Sequence, residues 1–234
     1  MKKLAIGILL GTLAFGCAEM TQVMEEVNDM ASTPSLTNGE VVKGLKQALE
    51  IGAKNSTGLA SKVDGYYKNP AIFIPFPPEA IKVKEKVEAL GMGSQVEKFE
   101  MTMNRAAETA AKEAAPIFIN AITSMTISDG FAILKGGDNA ATQYLINKTS
   151  SQLKIKFDPI VKNATNQVQV TKYWNPIIST YNKIPFVDKM NPDLDDYITT
   201  KAMDGLFLMI EKEEKKIRTN PLARVTDLLK KVFA

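Results

Sequence analysis

The sequence predicts an all-α protein: a compact multi-helix bundle or array with one proline-rich extended strap, following a cleaved signal peptide. Three observations carry that expectation. Apolar residues recur at helical spacing through most of the chain beyond residue 36. Signatures of the capping-box type punctuate these runs. Neither a strand–helix–strand rhythm nor an internal repeat is present.

The first residues read MKKLAIGILLGTLAFGC. Lys2 and Lys3 form a basic start, and Leu4 to Phe15 an apolar run too short to persist as a membrane span. Residues 1–16 therefore read as an export leader. The closing AFGC resembles the lipobox of bacterial lipoproteins, in which cleavage precedes a cysteine that carries a diacylglycerol. Leu13 sits one position further out than in the usual pattern, and Ala14 takes its place. Cys17 is the only cysteine, so no disulfide framework is available. As a lipidated N-terminus it would carry a thioether lipid and an amide-linked chain such as palmitate, enough for stable attachment. The alternative is an ordinary exported protein with an incidental cysteine. Ala18 after Cys17, where an aspartate would favour the inner membrane, resembles outer-membrane sorting. The expected location is the periplasmic face of the bacterial cell envelope, attached to the outer membrane.

Charge narrows the partners. The chain holds 29 basic and 26 acidic side chains. Removing the leader takes two lysines and leaves 27 against 26, a net charge of +1. A near-neutral body is a poor nucleic-acid binder. The expected partners are the membrane through Cys17 and an envelope protein or amphipathic ligand.

Residues 17–35 read as lipidated N-terminus and tether, with room for a short helix at Met20 to Met30, and residues 36–234 as one helical domain. Thr37 and Glu40 form a capping box before a stripe of Val41, Val42, Leu45, Ala48 and Leu49, which Gly52 and KNSTG weaken or end. In NPAIFIPFPPE, residues 69–79, three further prolines follow Pro70, each lacking an N–H and biasing its predecessor to extended geometry. That predicts the strap, an edge strand being the alternative. Helices resume near Pro78 with Val83, Val87 and Leu90, and Gly91 fits a C-cap. Ser94 and Glu97 form a second box. Val96, Phe99, Met103, Ala106, Ala107, Ala110 and Ala114 then share one face. Pro116 starts or kinks the next segment, whose Ile117, Phe118, Ala121, Ile122 and Met125 read as buried. Thr126 and Asp129 repeat the box grammar. Helical stretches are expected over Ser151 to Phe157, again from Pro159, over about 192–217 as the longest helix, and in a short last helix from Pro221. The last would bury Val225, Leu228, Leu229 and Val232.

LKGGDNAATQYL, residues 134–145, looks like a glycine-rich phosphate loop. A dinucleotide loop needs a strand before its glycines, and a P-loop needs lysine and serine or threonine after them. Here DGFAILK precedes and Asp138 follows. Glycines with unusual backbone angles, then Asp138 as an N-cap, account for the stretch.

Little remains for catalysis. The chain contains no histidine, which removes the usual near-neutral base and most catalytic zinc sites. Ser56 and Ser61 in STGLASK lack the companion motifs of a serine–lysine enzyme. Asp193, Asp195 and Asp196 suit the first turn of a helix better than a cation site, lacking the EF-hand glycine and terminal glutamate. No catalytic residue, metal or cofactor is assigned. A candidate polar site comprises Asn104, Arg105, Glu108 and Asp204, with a solvated face or an Arg105–Glu108 pair as the simpler reading of Arg105. Candidate contacts for a ligand or partner are Phe73, Phe76, Tyr144, Tyr173, Trp174, Asn175, Tyr181 and Asn182, all of which can equally fill helix junctions.

Several blocks recur together in one family: LTNGEVVKGLKQALEIG, NPAIFIPFP, FEMTMNRAAETAAKEAAPIF, ILKGGDNAATQYL, TKYWNPIISTYNKIPF, NPDLDDYITTKAMDGLFLMI and EKKIRTNPLARVTDLLKKVF. In this order, over about residues 36–233, the chain resembles the DUF4197 family, bacterial lipoproteins and exported proteins without an assigned activity. The resemblance implies an α-helical envelope protein and supplies no catalytic residue. The expected function is a non-enzymatic, lipid-anchored binding or scaffold module. The alternatives are a carrier holding an amphipathic or lipid ligand in a helical pocket, and a hydrolase or anion-binding enzyme using Arg105, Glu108 and Asp204.

Overall fold

The computed structural model describes residues 36–89, 91, 93–167, 182, 183, 185, 186, 189 and 193–232. Helix α1, Asn38–Ala60, buries Val42, Leu45, Ala48, Leu49, Ala53 and Ala60 along one stripe. It does not stop at Gly52 or KNSTG. Ser56 and Thr57 are buried within it, and the Thr57 hydroxyl donates to Ala53 O at 2.8 Å, so packing overrides the weak helix propensity of that stretch. Residues 61–77 then form turns and bends. A 3₁₀ turn at Pro78–Ala80 leads into α2, Ile81–Ala89. Gly91 adopts the left-handed conformation, φ 82°, expected of a residue just past a helix end.

Helix α3, Gly93–Ala111, buries Val96, Phe99, Met103, Ala106, Ala107 and Ala110, with Asn104 and Glu108 on the same buried surface. Ser94 lies in its first turn and donates to Gln95 Oε1, not to a cap. Pro116 sits in the first turn of α4, Ala114–Thr123, where a missing N–H is tolerated. The capping box at α5, Ile127–Lys135, is complete: Asp129 N donates to Thr126 Oγ1 at 3.1 Å, and Thr126 N to Asp129 Oδ2 at 3.0 Å.

Pro159 opens no new helix. It lies inside α6, Ala140–Asn166, which is continuous and at 27 residues exceeds the 26 of α7, Leu194–Thr219. Proline forfeits a hydrogen bond there. Pro159 is on the exposed side, while Leu153, Phe157 and Val161, four residues apart, are fully buried on the other. That buried stripe keeps the helix continuous. After a 3₁₀ turn at Pro221–Ala223 comes α8, Asp227–Val232. Only Leu229 of its four expected apolar contacts is buried, and Val225 precedes the helix, 66% exposed.

Helix α7 packs along α6, α1 and α3, α6 also against α3 and α4, and α1 against α4, α5 and α8. The core between them includes Phe99, Phe118, Phe157, Leu145, Leu153, Ile198 and Leu206, all essentially inaccessible. The unit Asn38–Ala234 is compact and holds this core by itself. Among the described residues there is no strand, and no single helix is long and apolar enough to cross a membrane.

Candidate functional site

Glu100, Asn104 and Glu108 stand four residues apart on α3, so they project along one face. That face meets the turns of residues 61–77, whose backbone lacks helical partners and needs acceptors. Glu108 Oε1 accepts from both Tyr66 N and Tyr67 N at 3.1 Å. Asn104 Oδ1 accepts from Ile74 N at 2.9 Å, and Asn104 Nδ2 donates back to Ile74 O at 2.9 Å. Glu100 Oε1 accepts from Phe76 N at 3.3 Å and from Lys84 Nζ at 2.8 Å. Tyr66 drives inward: its hydroxyl donates to Ala202 O at 2.6 Å, and burial pushes its ionisation far above the ordinary range, with Glu108 adding to the effect. Its ring lies where a side chain at position 205 would sit, since a Cβ on Gly205 would fall 2.9 Å from Tyr66 Cε1 and 3.0 Å from Ile72 Cβ. The mid-helix glycine is thus a seat for this segment.

Arg105 closes the cluster. Its Nη1 donates to Glu108 Oε2 at 2.7 Å and its Nη2 to Asp64 Oδ1 at 2.6 Å, with the guanidinium 5.5 Å from the Tyr67 ring centre. Asp64 holds φ 67°, a left-handed conformation that aspartate tolerates better than most residues. Hydrogen bonds from Lys68 and then Arg105 hold its carboxyl below the usual value, and Glu108 and then Asp64 hold the Arg105 proton more tightly than usual. Asn104, Arg105 and Glu108 are therefore brought together as structural donors and acceptors. Asp204 is not joined to them. It is exposed and lies 3.8 Å from Lys201.

The glycine-rich stretch is settled by a residue from elsewhere in the chain. The N-cap of α6 is Asn139, not Asp138, and it makes no side-chain cap bond. Glu214 of α7 fills the role instead. Its Oε1 accepts from Ala141 N at 3.0 Å, and its Oε2 from Thr142 N at 2.9 Å and the Thr142 hydroxyl at 2.8 Å. A carboxylate thus occupies the helix N-terminus, where an anion would bind. Arg218 neutralises it through Nε at 3.0 Å and Nη2 at 2.8 Å, and Nη2 also reaches Ile133 O at 3.0 Å. Gly136 is extended, not left-handed; a Cβ there would meet Ala140 Cβ at 2.6 Å.

The acidic start of α7 is likewise structural. Asp193 Oδ1 accepts from Asp196 N at 3.0 Å, Asp196 pairs with Lys154 at 2.6 Å, and Asp195 accepts from the Thr165 hydroxyl at 2.5 Å. No cluster of three or more metal-ligating side chains occurs among the described residues.

Of the aromatic candidates, Phe76 is buried edge-on against Phe99, and Phe73 is half-buried with its ring 6.2 Å from that of Tyr67. Tyr144 is half-buried, its hydroxyl donating to Ala121 O at 3.3 Å and Lys148 lying 5.8 Å from its ring centre. Asn182 is half-buried. Tyr173, Trp174, Asn175, Tyr181 and the lipid-attachment candidate Cys17 lie outside the described residues. Sequence reasoning did not single out a groove of about 290 Å³ between α3 and α6, lined by Met101, Thr102, Arg105, Ala106 and Ile160 among others. It also missed Asp64, Glu214 and Arg218. Glu214 and Arg218, four apart on one helix, gave a signal, but EKEEKKIR also places Glu211 four before Lys215, and nothing local chooses between the two.

The fold and site define an all-α protein whose interior charges hold its own backbone in place. Residues 35–234 match the family described as "Protein of unknown function (DUF4197)", and the chain belongs to that family. No curated protein and no solved structure matches the chain.

Proposed function

We propose that the protein is a non-enzymatic, lipid-anchored binding or scaffold module of the bacterial cell envelope, held at the periplasmic face of the outer membrane through Cys17. The observation that carries this reading is how its interior charges are used. Glu108 and Glu214 are buried with both oxygens engaged by backbone donors and arginine, and Arg218 is held by Glu214 and Ile133 O. Such groups rigidify a surface and leave no poised base or nucleophile among them. In this reading residues 1–16 are a cleaved leader, and the proline-rich residues 69–79 are a strap that α3 fixes in place.

Replacing Cys17 by serine tests the anchor: loss of acyl labelling and release from the membrane fraction are expected, and unchanged labelling and fractionation would overturn it. Purifying the mature protein from its envelope with its partners, followed by mass spectrometry, tests the binding role. A stoichiometric protein partner is expected.

The α3–α6 groove favours a second reading, carriage of an amphipathic ligand. At about 290 Å³ it lies at the small end of ligand sites, so it would seat part of an acyl chain rather than a whole lipid. A reproducible stoichiometric lipid in the same purification, lost on Thr102→Trp at the mouth of the groove, would decide for carriage.

A further inference from the structure

One end of the body differs in charge from the rest. Residues 215–234 hold Lys215, Lys216, Arg218, Arg224, Lys230 and Lys231 against Asp227 alone. They take six of the chain's 29 basic and one of its 26 acidic side chains, leaving 23 basic against 25 acidic elsewhere. Arg218 is mostly covered in its pair with Glu214, and Arg224 is turned inward, its Nε donating to Ile217 O at 3.2 Å and its Nη2 to Arg218 O at 3.0 Å. Lys216 and Lys230 lie near Glu213 and Asp227 in exposed pairs. Lys215 and Lys231 are exposed and have no carboxylate within ion-pair distance among the described residues.

Apolar side chains stand in the midst of this charge. Leu222 is 91% exposed on the 3₁₀ turn after α7, and Val225 follows it. The turn is fixed: Asn220 Oδ1 accepts from Leu222 N at 3.0 Å, and Arg224 ties the next residues to the last carbonyls of α7. Their exposure is therefore built in. The chain also enters the body here. Gly44, two turns into α1, is so close to α8 that a Cβ would fall 2.7 Å from Val232 Cγ2 and 3.2 Å from Leu228 Cγ, and the neighbouring Lys43 is exposed. Acids near this end include Glu40 in the first turn of α1, Asp129 on α5, whose neighbour Gly130 packs against Val42, and Glu213 and Asp227.

We propose that this end, formed by the close of α7, the Leu222–Val225 turn, α8 and the start of α1, rests on an anionic phospholipid surface. The inference rests on the membrane-anchored reading above and adds an orientation to it. Residues 18–37 can span up to about 70 Å, so a lipid at Cys17 alone would not hold the body against the bilayer. Leu222 and Val225 enter the interfacial region, and Lys43, Lys215 and Lys231 face the phosphates around them. Apolar insertion with flanking lysines is the chemistry of interfacial binding, and each lysine brought to such a surface strengthens attachment about fivefold.

The test uses a chain from Ala18 to Ala234, which lacks Cys17 but keeps the whole compact unit, sedimented with phosphatidylcholine vesicles with or without one-third phosphatidylglycerol. Binding to the anionic vesicles alone, weakened by salt, is expected. Lys215→Gln with Lys231→Gln should weaken it about 25-fold, and Leu222→Ser with Val225→Ser at least tenfold. Ile155→Ser, at a residue 71% exposed on α6, should leave binding unchanged. All these side chains are exposed, so thermal midpoints should stay within a few degrees of the parent. No sedimentation with anionic vesicles would overturn the proposal, as would an equal loss from Ile155→Ser or cross-linking of this end to an envelope protein in place of lipid. Because the test chain lacks Cys17, its failure leaves the anchor standing, and failed acylation of Cys17 leaves this surface standing.

Discussion

Arg105–Glu108 and Glu214–Arg218 are the same chemical device in two places: a buried carboxylate, two backbone N–H groups and an arginine. They differ in how the oxygens are shared. In the first, Glu108 Oε1 takes both N–H groups and leaves Oε2 to Arg105, which is 35% exposed and also holds Asp64. In the second, each Glu214 oxygen accepts from one N–H and from a further donor, and Arg218 is only 16% exposed. The first fixes one irregular segment to α3. The second joins the start of α6, the end of α5 and the body of α7, so more of the fold depends on it.

That contrast can be broken with one isosteric change. In Glu214→Gln the amide NH₂ must face donors whichever way it turns, because both oxygen positions are occupied by acceptor duties. Arg218 loses its only ion-pair partner among the described residues in the same step. A loss of about 3–5 kcal/mol is expected, as when one member of a buried pair is removed. In Glu108→Gln the carbonyl can keep Tyr66 N and Tyr67 N, and Arg105 can turn its free arm to water while holding Asp64. A loss of about 1–2 kcal/mol is expected. Urea unfolding of the two variants measures the difference; equal losses would refute the reading that oxygen sharing separates the clusters.

Gly205→Ala sharpens the comparison from the other side of the first cluster, because it presses on Tyr66, which Glu108 holds by its backbone. Alanine favours the helix by about 1 kcal/mol, but its Cβ falls 2.9 Å from the Tyr66 ring and 3.0 Å from Ile72 Cβ. Overpacking of this kind costs about 1–3 kcal/mol, so a net loss of about 1 kcal/mol is expected. The same change paired with Tyr66→Phe should cost less than the sum of the two, since the ring, freed from Ala202 O, can withdraw. Urea midpoints of the single and double variants give the coupling.

These clusters also mark where the sequence stops being readable. The apolar stripes of α1, α3 and α4 and the Thr126–Asp129 box are local patterns, and the described structure contains them. Glu214 capping α6 through Ala141 N, 73 residues earlier, is not local, and no spacing rule reaches it. Arg105 reads as a solvated side chain on a helical projection because the layer that covers it, the turn at Asp64, has no helical period of its own. Pro159 misled for the same kind of reason: propensity is judged residue by residue, whereas Leu153, Phe157 and Val161 act together through the core.

The smallest expected effect is one of pH at the exposed edge of the first cluster. Asp64 is held below its ordinary value of 3.8 by Lys68 and Arg105. A carboxyl whose folded value lies below its unfolded one stabilises the fold fully above the unfolded value, and that contribution fades as pH falls through the folded one. Asp64→Asn keeps a residue that tolerates the left-handed conformation and removes only the titrating charge. The urea midpoint of the parent chain should therefore exceed that of Asp64→Asn at pH 6, and the gap should close as acidification carries the parent below the ordinary carboxylate range and its carboxyl takes up a proton. Salt at pH 6 should narrow the gap too, because Lys68 meets Asp64 at the surface. A gap that persists unchanged into acid would mean that residue 64 acts through its backbone turn alone, and that Arg105 answers only to Glu108.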